Sequence, residues 1–299
     1  MRPGSMRNIL AATLLAGCAA TPSAPDPAAL EDLFAAERAF AKDSTERGIR
    51  AAFLDHFAPD GIDFRPGPGV MRERMLARPA PADPLAVVLD WSPQVGAVAL
   101  ADDLGYTMGP FSLSSRRDAL APAHYGYFFS VWKRESGVWR VAVDAGVSTP
   151  MAPSPDSLAV RPESSAPTPP RFAWPGPGGR GKEALIALER APRSLDPDPV
   201  DGGSYFDLLA NSVRVLRENS YALVGADAAR KALAATGRRI EWTTAGAGAS
   251  ASDDLGYTYG RYVRFDGNAE AAAGYYVHVW QRDASGAWRI VAASQLPPD

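Results

Sequence analysis

Asp102-Asp103-Leu104-Gly105-Tyr106-Thr107 returns letter for letter as Asp253-Asp254-Leu255-Gly256-Tyr257-Thr258. Outward from it the echo continues. Trp91 precedes the first copy as Trp242 precedes the second, and Gly109 follows as Gly260 does. Further on, Gly126-Tyr127, Trp132 and Trp139-Arg140 are matched by Gly274-Tyr275, Trp280 and Trp288-Arg289, the offset staying between 148 and 151 residues. A repeat of this period and fidelity reads as two homologous domains in tandem. At 299 residues the chain has room for both, each with its own core.

The segments around the repeat change period in the same order twice. Over 28–44, Leu30, Leu33, Phe34, Ala36 and Phe40 form an apolar stripe at helical spacing, and Glu37, which falls within it, would need a partner there. Ile49–Phe57 and Met71–Ala77 predict two shorter helices. From Leu85 onward, runs at 86–91, 96–101, 104–112, 124–134 and 138–143 are rich in β-branched and aromatic residues with turn signals between them. Leu185–Arg190 mirrors Leu33–Arg38, Pro192 cuts that helix short, and Tyr205–Leu209 corresponds to Phe53–Phe57. Helices followed by an antiparallel run of strands predict an α+β class with the helices on one side of a curved sheet. The predicted boundaries are 28–148 and 182–299, joined by a linker over 149–181 with nine prolines between Pro150 and Pro177.

The first 18 residues predict a targeting segment, and 19–27 a flexible tether. Arg2 and Arg7 precede a short apolar run that ends in Leu15-Ala16-Gly17-Cys18, which resembles the bacterial lipobox. That resemblance implies lipidation of Cys18, anchoring by more than one acyl chain, and, with Ala19 behind it, a place in the outer membrane facing the periplasm. Cys18 is the only cysteine, so no internal disulfide can form. A net charge of −3 without a basic block argues against nucleic acid as a partner.

Asp-Leu-Gly-Tyr-Thr-x-Gly, then Gly-Tyr…Trp-Lys…Gly-x-Trp-Arg-Val and the closing Asp144-Ala145-Gly146 resemble the nuclear transport factor 2-like superfamily. Within it the likeness is to the SnoaL-like branch (domain of unknown function 4440 type), which also resembles ketosteroid isomerase. The resemblance covers about 30–148 and, more loosely, 182–295. It implies two tandem cone-shaped α+β barrels, each with N-terminal helices packed on a strongly bent antiparallel sheet and a pocket at its open end. It does not imply a reaction.

Steroid-isomerase chemistry is argued against by the residues themselves. Aligning Ala58-Pro59-Asp60 with the family's turn puts Arg65 at the base position, and Arg217 in the second copy; a guanidinium cannot act as a base. The family's donor tyrosine on the first helix is also missing, since neither 28–50 nor 182–192 contains tyrosine. Asp63, Arg65 and Asp144 remain as catalytic candidates in the first copy only. The second has Val215 for Asp63 and Ala293 for Asp144, so no candidate acid or base is kept in both. Arg65, Tyr106, Tyr127, Arg217, Tyr257 and Tyr275 are the expected ligand-binding residues. Asp102-Asp103 and Asp253-Asp254 read as turn chemistry, and Trp132, Trp139, Trp280 and Trp288 as cross-strand staples of the last hairpin. Three histidines at unrelated repeat positions suggest no metal site, and no phosphate-cradling loop follows a strand, so no cofactor is expected. The reading that follows is a lipid-anchored protein that binds a small apolar ligand or a protein partner without catalysis, monomeric with an internal pseudo-dimer. Its competitor is an isomerase, dehydratase or epoxide hydrolase type of enzyme active in the first copy alone.

Overall fold

The computed structural model describes residues 22–23, 26–64, 67–118, 120–159, 171–172, 180–196 and 203–298. Cys18 and its leader, most of the 19–27 tether, Arg65 and most of the 149–181 linker lie outside those residues. What is described is a mixed α+β structure with two curled sheets, each built from one half of the chain.

The first half opens, after a two-residue strand β1 (Pro22–Ser23), with α1 (Pro27–Arg47). Asp26 caps it by accepting the Ala28 N–H at 2.9 Å, and Pro27 at the first helical position gives up no bond that the helix would have made. Gly48 ends it at φ 89°, where a Cβ would also run into Pro84. Then come α2 (Ile49–His56), β2 (Phe57–Phe64), β3 (Pro68–Val70), α3 (Met71–Ala77), β4 (Val87–Trp91), β5 (Val95–Val98), β6 (Leu104–Ser115), β7 (His124–Glu135) and β8 (Val138–Thr149). The sheet order is β3-β2-β8-β7-β6-β4, with β5 also on β6.

The second half follows β9 (Arg171–Phe172), which pairs with β1. It contains α4 (Arg180–Arg190), β10 (Arg193–Ser194), a 3-10 turn over Tyr205–Leu208, β11 (Leu209–Arg217), β12 (Leu223–Val224), α5 (Ala226–Leu233), β13 (Arg239–Ala249), β14 (Leu255–Asp266), β15 (Ala269–Arg282) and β16 (Trp288–Leu296). Its order is β10-β13-β14-β15-β16-β11-β12.

Neither sheet is wholly antiparallel, as the strand pattern had suggested. β2 pairs in parallel with β8, and β11 with β16. A parallel pair needs a long crossover, and the whole of β3 to β7, or β12 to β15, supplies it. Bulges fall at matching places, between Val131 and Trp132 and between Val279 and Trp280, and bend each sheet around its helices.

Alternate residues along each strand serve two different cores. On the concave side, Leu33 and Phe40 of α1 pack with Trp91, Phe128, Trp132 and Val141. Leu185 of α4 packs likewise with Trp242, Tyr276, Trp280 and Ile290. Gly105 and Gly256 make this possible, because a Cβ on either would meet Leu33 or Leu185. On the convex side, Tyr106, Met108, Tyr127 and Phe129 share one apolar cluster with Leu255, Val277, Val279 and Leu296 of the other sheet. Leu158, from the stretch expected to be linker, is fully buried in that seam, and its carbonyl accepts from Arg214 Nε at 2.8 Å.

The duplicated hexapeptides meet at one end of the seam. Asp102 and Asp253 take φ of 54° and 55°, the turn conformation expected of them. Their neighbours do something the sequence did not announce. Asp103 accepts the Ala251 N–H at 2.8 Å, and Asp254 accepts the Leu100 N–H at 3.2 Å, so each copy caps the other's turn.

Candidate functional site

One register row crosses the concave face of each sheet and decides its chemistry. In the first half the row is Thr107, Ser130, Asp144 and Asp63, on β6, β7, β8 and β2. In the second the matching row is Thr258, His278, Ala293 and Val215, on β14, β15, β16 and β11.

At the inner end of each row lies a glutamate from the first helix of that half. Glu37 is fully buried. It accepts from Trp91 Nε1 at 2.6 Å, from Trp132 Nε1 at 2.8 Å and from the Thr107 hydroxyl. Burial pushes its pKa above the ordinary carboxyl value, against the lowering by those three donors. Glu189, 2% exposed, accepts from Thr258 Oγ1 at 2.6 Å and lies 2.9 Å from His278 Nδ1. Trp280 reaches Thr258 instead of the carboxyl, at 2.9 Å, and Trp242 Nε1 has no partner. His278 stands against Glu189 where Trp91 stands against Glu37 in the first half. Its other nitrogen lies 3.4 Å from the Tyr205 hydroxyl.

The expectation that no acid is kept in both copies is therefore corrected. Glu37 and Glu189 occupy equivalent places in the mirrored segments Leu33–Arg38 and Leu185–Arg190. The helical stripe concealed them, because a carboxyl inside an apolar stripe reads as a packing irregularity until its donors are located. The tryptophans are corrected in part as well. Trp132 and Trp280 point into the helix-side cores, and Trp139 and Trp288 lie under Arg134 and Arg282, with guanidinium-to-ring distances of 4.5 and 4.4 Å.

At the outer end of the first row, Ser130 Oγ donates to Asp144 at 2.9 Å. Asp63, beside Asp144 on the parallel pair, forms a 2.8 Å ion pair with Arg74 of α3. Arg74 also donates to the Gly67 carbonyl at 3.0 Å, and Gly69 leaves space for its guanidinium. The structure thus brings two of the three catalytic candidates together; the third, Arg65, lies outside the described residues. Sequence reasoning missed Arg74, whose only signal was a helix placed one turn after a Gly-x-Gly.

The remaining expected residues are dispersed. Tyr106 and Tyr127 are buried between the sheets, on the face away from the row. Tyr275 packs against the same cluster, where Phe64 lies 6.4 Å away ring to ring. Tyr257 and Tyr259 lie parallel, 6.5 Å apart, in a cleft of about 210 Å³ on the seam, whose lining includes Asp60, Lys133 and Lys182. Burial first, and then Tyr259, pushes the Tyr257 hydroxyl up to about 12. Arg217 ends β11 beside Gln295 of β16, and its Nε is buried without a hydrogen-bond partner. Among the described residues no cluster of three metal-ligating side chains occurs, and no helix is long and apolar enough to cross a membrane.

No family model matches the sequence, and no curated protein does. Solved structures with nuclear transport factor 2-like and ketosteroid isomerase-like folds align with about 40% of the chain. A nuclear transport factor 2-like protein of unknown function from Shewanella oneidensis is 14% identical, with 39% of this chain and 97% of that one covered at a TM-score of 0.33. A ketosteroid isomerase-like protein from Erwinia carotovora atroseptica is 14% identical over 41% of this chain and 98% of its own, TM-score 0.33. A protein of unknown function with a cystatin-like fold from Nostoc punctiforme is 15% identical over 43% and 97%, TM-score 0.34.

Proposed function

We propose that this chain is a lipid-anchored envelope protein of two tandem SnoaL-like domains, 28–148 and 182–299, and that its first domain binds a small amphipathic ligand without transforming it. The observation that carries the reading is the contrast between the two concave rows. Asp144 and Asp63 stand where the second domain has Ala293 and Val215, although the helices, the buried glutamate and the hairpin are repeated. Two carboxylates set beside Arg74 at the end of an apolar interior suit a ligand with an apolar body and a hydroxyl or amine head. Glu37 is not the functional acid in this reading. Three donors already saturate it inside a packed core, leaving no face for a substrate.

The test imports the second domain's residues. Wild type and an Asp63→Val, Asp144→Ala variant, both starting near residue 28, are incubated with cell extract, and retained small molecules are identified by mass spectrometry. A molecule held by wild type and absent from the variant is the expected result; equal retention would remove the site from Asp63 and Asp144. The neighbouring carboxylates also favour a second reading, acid–base catalysis in the first domain. Turnover of the retained molecule to a species of different mass or stereochemistry would establish it.

Anchoring through Cys18 is tested separately. Fatty-acid labelling should disappear in Cys18→Ser. The shared core leaves each sheet's convex apolar face covered by the other half, so the protein without its anchor should scatter light as a monomer. A dimer mass would count against the internal pseudo-dimer.

A further inference from the structure

The second half carries buried positive charge that no acid answers among the described residues. Arg264, near the end of β14 away from the hexapeptide turn, is 8% exposed. Its guanidinium donates to the Gln295 side chain and lies 4.9 Å from the Tyr262 ring. Its Nε has no partner, and neither has the buried Nε of Arg217, which stands in register beside Gln295. Arg264 reaches Gln295 through its guanidinium and Arg217 flanks the same Gln295 in register, which brings the two cations to one corner of the sheet, where burial holds the Arg264 guanidinium below its ordinary value.

The acids nearby are committed elsewhere. Glu189 is held by Thr258 and His278 deeper in the core. Glu218, next to Arg217 in sequence, turns to the seam and accepts the Ser148 N–H at 3.0 Å. Neither arginine has a carboxylate partner among the described residues. In the first half Leu113, Phe111, Phe128 and Gly146 occupy the places of Arg264, Tyr262, Tyr276 and Gln295, and only Arg217 has a cationic counterpart there, Arg65. A buried guanidinium at Arg264, with the half-buried Arg217 beside it and no carboxylate partner for either among the described residues, is a standing cost to the fold, and planar forks of this kind match a carboxylate.

We propose that the concave end of the second sheet is a binding site for a small organic carboxylate, held by Arg264 and Arg217, with the rings of Tyr262 and Tyr276 beside its apolar body. The site is independent of Asp63 and Asp144, so the first-domain reading can fail without it. Gln295, already bonded to Arg264, fixes one edge of the guanidinium and leaves Nε for the ligand.

The experiment titrates the soluble chain calorimetrically with sodium benzoate, with its neutral counterpart benzamide and with sodium phosphate. Saturable binding of benzoate, at least about tenfold stronger than benzamide or phosphate, is expected. Arg264→Leu, which imports the residue of the first half, should weaken benzoate by about tenfold or more, and Arg264→Lys by less. Without ligand, Arg264→Leu should melt no lower than wild type, because it removes an uncompensated buried charge. The proposal is overturned if benzamide matches benzoate, if phosphate binds more tightly, or if wild type shows no saturable binding. Unchanged affinity in Arg264→Leu, or a lower melting temperature for it, would equally assign Arg264 to structure.

Discussion

The two halves keep one scaffold and diverge along a single row of side chains. Both bury a glutamate under a tryptophan-bearing hairpin, and both answer it with the threonine that ends the repeated hexapeptide. Beyond that threonine they part. The first half continues through Ser130 to Asp144 and Asp63, whereas the second turns at His278 and becomes apolar at Ala293 and Val215. Further out the second half carries Arg264 where the first has Leu113, and Arg217 where the first has Arg65. The two halves share what a curled sheet needs in order to close on a helix and differ in the side chains at its end.

The most damaging way to erase the difference is to put the first half's acid into the second. Val215 is fully buried and has no counterpart of Arg74, so Val215→Asp should cost about 3–5 kcal/mol. The reverse change, Asp63→Val, frees an Arg74 side chain that is 26% exposed and should cost only about 1–2 kcal/mol. Urea denaturation of both variants measures the asymmetry, and equal costs would mean that the rows are not equivalent.

A second pair sharpens the comparison at the inner end. Indole N–H groups can only donate, so Glu37→Gln sets an amide N–H against a tryptophan and should cost about 2–3 kcal/mol. Imidazole can change tautomer and accept, so Glu189→Gln should cost less than about 1 kcal/mol. The same denaturation series reads both, and the order is the prediction. Smaller effects are expected at the seam. Asp254 is 1% exposed and accepts from Ser250 and Ser252 besides Leu100, so Asp254→Ala should cost about 2 kcal/mol. Asp103→Ala removes the reciprocal cap at a more open position and should cost about 0.5–1 kcal/mol.

Glu37 contributes a pH dependence opposite in sign to that of the lowered carboxyls Asp43, Asp60, Asp83 and Asp283. Its folded pKa is raised above the ordinary 4.5, so between that value and the folded one the native state holds a proton that the unfolded chain has released. Its contribution is greatest below the ordinary value and falls as pH rises through the window, staying low above it. The stability of wild type relative to Glu37→Gln should fall as pH rises across that window; a difference that stays constant with pH would remove Glu37 as its source.

Much of this was legible before any coordinates. The hexapeptide repeat located both halves, the apolar stripe placed α1 within a few residues of its ends, and Met71–Ala77 was found as a helix with the same limits. The candidate site was only partly legible. Asp63 and Asp144 stood out because they are acids missing from the second copy, and they proved to be neighbours. Glu37 and Glu189 did not, although an alignment of the mirrored helices contains them, because an acid in an apolar stripe has no meaning until its donors are known. Tyr106, Tyr127 and Tyr275 were legible as strand residues, but which face they occupied was not, since the other sheet covers one face and the helices the other.

The sequence by itself determined the period, the helices and strands of each half, and the positions at which the copies differ. These depend on local spacing, on turn chemistry and on direct comparison of one copy with the other. Only the tertiary structure decided that Trp91, Trp132 and Thr107 converge on one carboxyl, that each hexapeptide caps the other, and that Arg217 and Arg264 meet at Gln295 without a carboxylate partner among the described residues. Those outcomes depend on which residues, far apart in the chain, meet away from water, where one missing partner outweighs any local preference.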